Sequence, residues 1–258
     1  MDHPILTGLR VCKNFGGLQA LLNVDFEIRP GSIFAVIGPN GAGKTTLFNL
    51  ISGVYQDYMG EICFNNEPVS HRPAHFIANK GISRTFQNVR LFKNLSVLEN
   101  VMVGCHGWVS PKYSRSIFGI RSAAKEEQVI RDWGREMLGF VGIDHKVDRE
   151  VESLSLGDQK LLEIARALAA RPKLLLLDEP AAGLNDFDMG KLKEIIFGIK
   201  EQNITQMIVE HNMNFIMSIS DRIMVLNFGM KIAEGTPKEI VCNDKVIEAY
   251  LGKEQKFA

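Results

Sequence analysis

A glycine-rich segment early in the chain has the composition of a phosphate-binding loop. Residues 38–45 read GPNGAGKT and match the pattern G-x(4)-G-K-[S/T], directly after an apolar run of the buried-strand type at residues 32–37. Glycines let backbone N–H groups curl around an anion, the helix that follows adds its positive end, and a lysine adds a point charge. The pattern predicts a nucleoside triphosphate site. The residues expected to form it are Gly38, Pro39, Asn40, Gly41, Ala42, Gly43, Lys44, Thr45 and Thr46.

Two adjacent acids end a leucine-rich segment at residues 174–177. A carboxylate at the exit of a central parallel strand is well placed for the Mg²⁺ of a bound nucleotide, so we assign this role to Asp178, with the hydroxyl of Thr45 as a second ligand. Glu179 follows and points in a different direction, which makes it the candidate to polarise the attacking water. A leucine-rich strand that ends in acids is often only structural, but the phosphate-binding loop favours chemistry here.

A third segment, residues 154–159 (LSLGDQ), precedes an amphipathic run. Ser155 and Asp158 have the spacing of a capping box for that helix, which is the structural interpretation. A serine hydroxyl and free N–H groups at a helix N-terminus also form an anion site. A chain with two phosphate-binding ends requires an explanation.

The remaining sequence predicts the elements that position these motifs. Residues 5–28 alternate as β structure, and residues from about 96 to 170 are mainly helical apart from an irregular stretch at 106–120. Strands and helices alternate again after Lys173. This alternation is typical of parallel βαβ units, which bind ligands at the carboxyl ends of their strands. We therefore expect an α/β fold.

The composition excludes several classes of protein. The 258 residues carry 30 Lys and Arg against 30 Asp and Glu, and this balance argues against a protein that covers nucleic-acid phosphates with positive charge. No apolar run approaches the roughly 18 residues needed to cross a bilayer, and no secretory signal is recognisable. The 4 cysteines lie far apart without a CxxC pair, which fits a reducing compartment. We expect a cytoplasmic location.

The order of these motifs resembles that of the ATP-binding cassette (ABC) ATPases over nearly the whole chain. The phosphate-binding loop is followed by Gln87, by LSxG at residues 154–157, by LLLLDEP at residues 174–180 and by His211. In that family two cassettes pack head to tail, and each ATP lies between the loop of one subunit and the signature helix of the other. The resemblance explains the second anion site. It implies a P-loop NTPase fold with a mostly parallel core sheet, an antiparallel β layer and a helical subdomain.

The resemblance also implies roles for residues that spacing alone does not assign. Gln87 would contact Mg²⁺ and the attacking water and would sense the membrane subunit. His211 would contact the γ-phosphate, Phe15 would stack on adenine, and residues 182–185 would lie at the dimer seam. The signature residues expected to contact the ATP of the opposite subunit are Ser155, Gly157 and Asp158.

The signature departs from the family pattern Leu-Ser-Gly-Gly-Gln at two positions. Leu156 replaces a glycine, which is tolerable if its φ is negative and its side chain points away from phosphate. Asp158 replaces glutamine and adds a negative charge near a polyanion, which is unfavourable unless the carboxylate faces the ribose hydroxyls. Because Ser155 and Gly157 are intact, we predict a competent site; a non-hydrolysing, structural cassette is the alternative.

Within the family, the sequence is similar to the ATPase subunits of branched-chain amino acid importers. The features that carry this similarity are FGGLQAL at 15–21, RTFQNVRLF at 84–92, LEIARAL at 162–168 and AYLG at 249–252. Transport ATPases for urea, amides or lipopolysaccharide look similar, so the cargo stays open. A soluble ABC ATPase that acts on nucleic acid or ribosomes is the alternative of a different class.

The resemblance implies an organisation and a set of partners. We expect an ATP-binding catalytic core with its β layer at residues 1–87 and 166–235, a helical signature subdomain at 88–165 and a C-terminal helical tail at 236–258. ATP and Mg²⁺ are the implied cofactors. The implied partners are integral-membrane permease subunits, a second cassette of the same or a related kind and, indirectly, a solute-binding protein, with no nucleic acid. Residues 88–98 suit a groove for a permease helix, which would place the chain on the inner face of the plasma membrane.

Overall fold

The structure is a computed structural model that describes residues 3–105 and 119–251. The strands are β1 Leu6–Phe15, β2 Leu18–Ile28, β3 Ile33–Ile37, β4 Met59–Phe64, β5 Glu67–Pro68, β6 Ile82–Arg84, β7 Leu174–Asp178, β8 Thr205–Val209, β9 Arg222–Asn227 and β10 Met230–Gly235. The α-helices are α1 Lys44–Ile51, α2 Ala74–Lys80, α3 Val97–Gly104, α4 Gly119–Phe140, α5 Leu156–Ala169, α6 Asp186–Glu201, α7 Met213–Ile219, α8 Pro237–Val241 and α9 Asp244–Leu251.

A six-stranded sheet in the order β10-β9-β3-β8-β7-β6 carries the predicted motifs. The pairs from β9 to β6 are parallel, and β10 joins β9 in antiparallel orientation. Every residue of β3, β7 and β8 is buried, as expected for parallel strands that are covered on both faces. The predicted α/β class with a mostly parallel core sheet is confirmed.

The alternation of side chains along β3 divides the apolar interior into two cores. Ile33, Ala35 and Ile37 pack with the helices α3 to α7 on one face of the sheet. Phe34 and Val36 pack on the other face with α1 and with the antiparallel sheet β2-β1-β4-β5. Because successive side chains of a strand point to opposite faces, one buried strand holds both layers together. The antiparallel β layer is thus confirmed.

The helical region follows the sequence pattern closely where the structure describes it. The predicted capping box at the start of α3 is confirmed, because Ser96 Oγ accepts from the N–H of Glu99 while Glu99 Oε2 accepts from the N–H of Ser96. The prediction that residues 106–120 are irregular is wrong for residues 119 and 120, because α4 already begins at Gly119. Residues 106–118 lie outside the described residues.

The predicted division of the chain into core, helical subdomain and tail stays a prediction. Helix α5 continues through the expected boundary between residues 165 and 166, because Ala167, Leu168 and Ala169 are buried like the residues before them. The tail contains α8 and α9 as far as Leu251. Among the described residues, no helix combines the length and the hydropathy needed to cross a bilayer.

Candidate functional site

The phosphate-binding loop lies between the carboxyl end of β3 and the start of α1. Gly38, Gly41 and Gly43 have φ values of 152°, 79° and 102°, which L side chains rarely adopt. A Cβ atom on Gly38 would lie 2.1 Å from the carbonyl oxygen of Leu226, and one on Gly43 would lie 2.6 Å from that of Ala20. Gly38 and Gly43 are therefore required both for the turn and for its close contacts, and Gly41 for the turn alone.

The ammonium of Lys44 is folded over this loop. Its Nζ donates to the carbonyl oxygens of Gly38 at 2.7 Å and of Pro39 at 3.0 Å. Burial lowers the pKa of Lys44, and the charges of Glu179 and Asp178 oppose this shift. The positive charge is thus held at the centre of the loop, where the phosphates of a nucleotide would bind.

A cleft of about 420 Å³ brings several predicted residues together beside the loop. Its lining includes Phe15, Gln87 and Glu179 as well as the loop itself. The structure therefore joins residues from four separate segments of the chain, as the motif order predicts. Such a concave site, with a few polar groups converging on it, is the usual form of a ligand pocket.

The predicted catalytic residues meet at one carboxylate oxygen. Gln87 Nε2 donates to Glu179 Oε2 at 2.8 Å, and His211 Nε2 lies 3.2 Å from the same oxygen. Glu179 has φ 49°, and its N–H donates to the carbonyl oxygen of Val209 at the end of β8. Since β7 and β8 are adjacent, the residues that follow them are neighbours, and this adjacency brings His211 to Glu179.

The two oxygens of the Asp178 carboxylate differ in their hydrogen bonding. Oδ2 pairs with Arg84 Nη2 at 2.8 Å, whereas Oδ1 is buried and accepts no hydrogen bond from any described residue. The guanidinium of Arg84 also donates to Asn49 on α1 and to Ser52, the residue that caps the end of α1. A carboxylate oxygen is the type of ligand that Mg²⁺ prefers, and the charge of Asp178 acts on Lys44 of the phosphate-binding loop, so Asp178 fits this ion.

The structure adds two side chains to the predicted adenine platform. Phe15 is 40% exposed, and the Tyr55 ring packs against it in a T-shaped arrangement with centroids 5.3 Å apart. Lys13 Nζ lies 4.9 Å from the centroid of Phe15 and also donates to the carbonyl oxygen of Asp57. These contacts fix the orientation of Phe15, and the sequence offered no signal for Tyr55 because β1 and residue 55 are far apart in the chain.

The signature segment begins helix α5. Ser155 caps the helix, since its Oγ accepts from the N–H of Asp158 at 3.2 Å. Leu156 is the first helical residue and has no positive φ, so it meets the conformational condition for replacing a glycine. A Cβ on Gly183 would lie 3.0 Å from Leu156, and one on Gly157 would lie 2.9 Å from Oδ2 of Asp188. The signature therefore packs directly on the segment that contains residues 182–188.

Several buried charged residues near the site escaped the sequence analysis, among them Arg84, Lys160 and Glu210. A lysine among the apolar residues of α5, and a glutamate directly before His211 at the end of an apolar strand, are signals that could have revealed the last two. Charged residues are almost never fully buried unless they are paired.

Comparison with known proteins places these features in a family. The sequence profile described as ABC transporter matches residues 21–182, and the profile described as branched-chain amino acid ATP-binding cassette transporter matches residues 230–256. The chain is 41% identical over 254 residues to the high-affinity branched-chain amino acid transport ATP-binding protein BraF of Pseudomonas aeruginosa, covering 98% of this chain and 100% of BraF. It is 39% identical, with the same coverage, to LivG of Escherichia coli K12, which carries the same description.

Solved structures agree with this assignment. A nucleotide-free ATP-binding cassette from an ABC transporter is 33% identical with a TM-score of 0.83, covering 97% of this chain and 100% of the other. The ADP conformation of the cassette MJ1267 gives the same identity and TM-score, covering 97% of this chain and 99% of that one. The chain has the fold and the glycine-rich loop expected of an ATP-hydrolysing enzyme, and it belongs to the ABC transporter family of ATPases.

Proposed function

We propose that this chain is the motor subunit of an importer for branched-chain amino acids, and that it works as one half of a head-to-tail pair of cassettes. The observation that carries its hydrolytic part is the meeting of Gln87 and His211 at one oxygen of Glu179, beside the phosphate-binding loop. This geometry fits a carboxylate that orients and deprotonates an attacking water.

Each residue at the cleft has a separate role in hydrolysis. The loop from Gly38 to Thr46 and the ammonium of Lys44 bind the phosphates, and Phe15 stacks on adenine. Glu179 accepts the proton of the water, while His211 contacts the γ-phosphate and holds Glu179 in place. The signature residues bind the ATP of the opposite cassette from their helix N-terminus: Ser155, Gly157 and Asp158.

Three residues would hold Mg²⁺: Thr45, Gln87 and Asp178. When bound, the ion neutralises the charge of the β- and γ-phosphates. The oxygen of Asp178 that accepts no hydrogen bond from the described residues supports this assignment.

A groove of about 440 Å³ between the core and the helices is the proposed contact with a membrane permease. Its lining includes Phe86, Arg90 and Phe92, which lie within five residues of Gln87 in the sequence. Helix α5 holds this segment, because Glu163 accepts from the N–H of Phe86 and Arg166 Nη1 donates to the carbonyl oxygen of Arg90. An apolar groove with basic side chains suits a short amphipathic helix, and such a contact would keep the chain on the inner face of the plasma membrane.

The branched-chain amino acid cargo is inferred from the relatives BraF and LivG, whose names state it, and from the matching C-terminal profile. Cargo selection itself belongs to the membrane and solute-binding partners.

Purification of a tagged chain from native membranes in mild detergent tests this function. We expect two polytopic permease subunits and a second cassette to co-purify. The variant Phe92→Asp tests the groove separately from the ATP cleft, because Phe92 is 49% exposed, lines the groove and does not line the cleft. It should lose the permeases and keep ATP binding. Recovery of ribosomes or nucleic acid instead of permeases would overturn the transport function and leave the ATPase chemistry.

A further inference from the structure

Two buried charges that the proposed mechanism does not use lie behind the catalytic carboxylate. Lys160, on α5, is 7% exposed, and Glu210, directly after β8, is 1% exposed. Burying an ionised group is costly unless its charge and its hydrogen-bonding capacity are satisfied. Their partners therefore indicate what the two side chains do.

The ammonium of Lys160 binds the main chain of the catalytic segment. Its Nζ donates to the carbonyl oxygen of Glu179 at 2.9 Å and to that of Pro180 at 3.1 Å. Burial lowers the pKa of Lys160, and among the carboxylates that oppose this shift Glu210 has the largest effect. The lysine thus connects α5 to the residues just beyond β7.

The carboxylate of Glu210 binds two segments at once. Oε1 accepts from the N–H of Ala181 at 2.6 Å, and Oε2 accepts from the N–H of His211 at 3.0 Å. One side chain therefore fixes the main chain on both sides of the catalytic site, at the residue after Pro180 and at the predicted γ-phosphate contact.

Residues 179–181 are consequently held from two directions, at their carbonyl groups by Lys160 and at an N–H group by Glu210. This support coincides with an unusual conformation, because Glu179 has φ 49°, in the left-handed region that residues other than glycine rarely adopt. A conformation of this kind persists only where the surrounding contacts determine it. The direction of the Glu179 side chain depends on that backbone.

We propose that Lys160 and Glu210 are positioning residues for hydrolysis, and that together they set the direction of the Glu179 carboxylate and the position of His211. The inference rests on the proposed role of Glu179 as the base. Lys160 follows the helix cap Ser155 by five residues, about one and a half turns of α5. The same helix therefore touches the ATP of the opposite cassette at its start and the base of its own site at Lys160.

The test compares four variants of the full chain: Lys160→Met, which keeps the aliphatic stem, Lys160→Arg, Glu210→Gln and the control Lys200→Met. Lys200 lies near the C-terminal end of α6 and pairs with Asp221. The variant Lys200→Met therefore reports only the effect of removing a lysine ion pair. The quantities measured are kcat, KM, the affinity for a fluorescent ATP analogue and Tm. Glu179→Gln is measured alongside.

We expect Lys160→Met and Glu210→Gln to lower kcat by about 30-fold or more, because a misdirected base loses most of its effect. ATP affinity should change by less than about threefold, since neither residue contacts the phosphate-binding loop. Lys160→Arg should retain most of the kcat because it can still donate to both carbonyl groups. Lys200→Met should lower Tm and leave kcat unchanged.

Two outcomes overturn the proposal: a folded Lys160→Met protein with wild-type kcat, or a loss of kcat that is matched by an equal loss of ATP affinity, which indicates a structural role. If Lys160→Met does not fold, Glu210→Gln decides by the same readouts, because it leaves the side-chain volume almost unchanged. Normal turnover in Glu179→Gln would instead refute the proposed base, and the inference with it. An inactive Glu179→Gln beside an active Lys160→Met refutes the inference alone.

Discussion

Lys146 Nζ lies 2.6 Å from Oδ2 of Asp158, and the hydroxyl of Ser155 donates to the same oxygen at 2.7 Å. The extra negative charge of this signature is therefore paired within the chain before any nucleotide approaches. The side chains of Lys146 and Asp158 are only 21% and 17% exposed, so water screens the pair less than it screens a surface ion pair. This pairing supplies the physical reason for expecting a competent site.

We predict that Lys146→Ala weakens ATP-driven dimerisation about 10-fold, because it leaves an unpaired carboxylate at the proposed contact with the ATP of the opposite cassette. Sedimentation of the hydrolysis-deficient Glu179→Gln protein measures this change. Adding Asp158→Gln should restore dimerisation by removing the unpaired charge. Arg131→Ala is the control, because it removes an exposed ion pair with Glu127 in the same helical region. Failure of Asp158→Gln to rescue Lys146→Ala would contradict the charge argument.

Asp158 also makes stability depend on pH in acid. Burial alone would raise the pKa of Asp158, but the hydrogen bonds from Lys146 and Ser155 outweigh it and hold this pKa below its usual 3.8. A lowered pKa in the folded state contributes stability above the unfolded value, and this contribution is lost as the pH falls through the folded value. We expect the difference in Tm between the wild type and Asp158→Asn to be constant above about pH 5 and to shrink below pH 3.8. If the difference in Tm between the wild type and Asp158→Asn instead grew below pH 3.8, the pKa of Asp158 would be raised in the folded state and not lowered.

Glu179→Gln should keep ATP binding and lower turnover by about 100-fold or more, because the amide cannot take the proton of the water. The expected consequence is a closed dimer that accumulates with ATP, seen by sedimentation together with phosphate release. Glu194→Gln, on the surface of α6, is the matched control. Normal phosphate release from Glu179→Gln would remove Glu179 from the role of base.

Arg84→Gln should destabilise the fold, because Arg84 and Asp178 form a buried ion pair with side-chain exposures of 7% and 2%. Removal of one partner leaves the other charge buried and alone, which costs about 3 kcal/mol. Urea unfolding measures this loss of free energy. Arg131→Gln, at an exposed pair, should change it by less than about 1 kcal/mol. Equal effects at the two sites would mean that the buried pair does not contribute as argued.

Sequence alone predicted the features whose physics is local. The glycine and lysine spacing of residues 38–45 specifies a loop for phosphate, and Ser96 with Glu99 specifies a helix start, because all the interacting atoms belong to neighbouring residues. The apolar runs at β3 and β7 likewise predict buried strands. The resemblance to a family then supplied roles for Gln87 and His211 that their own surroundings in the sequence do not reveal.

Tertiary structure decided which charges are paired and what they hold. Arg84 reaches Asp178, and Glu210 reaches Ala181, only because β6, β7 and β8 lie side by side although long stretches of chain separate them. The cost of a buried charge depends on the partners that packing brings within hydrogen-bond distance, and no pattern along the chain records that distance. For the same reason, the charge of Asp158 looked unfavourable in the sequence and is neutralised in the fold by Lys146.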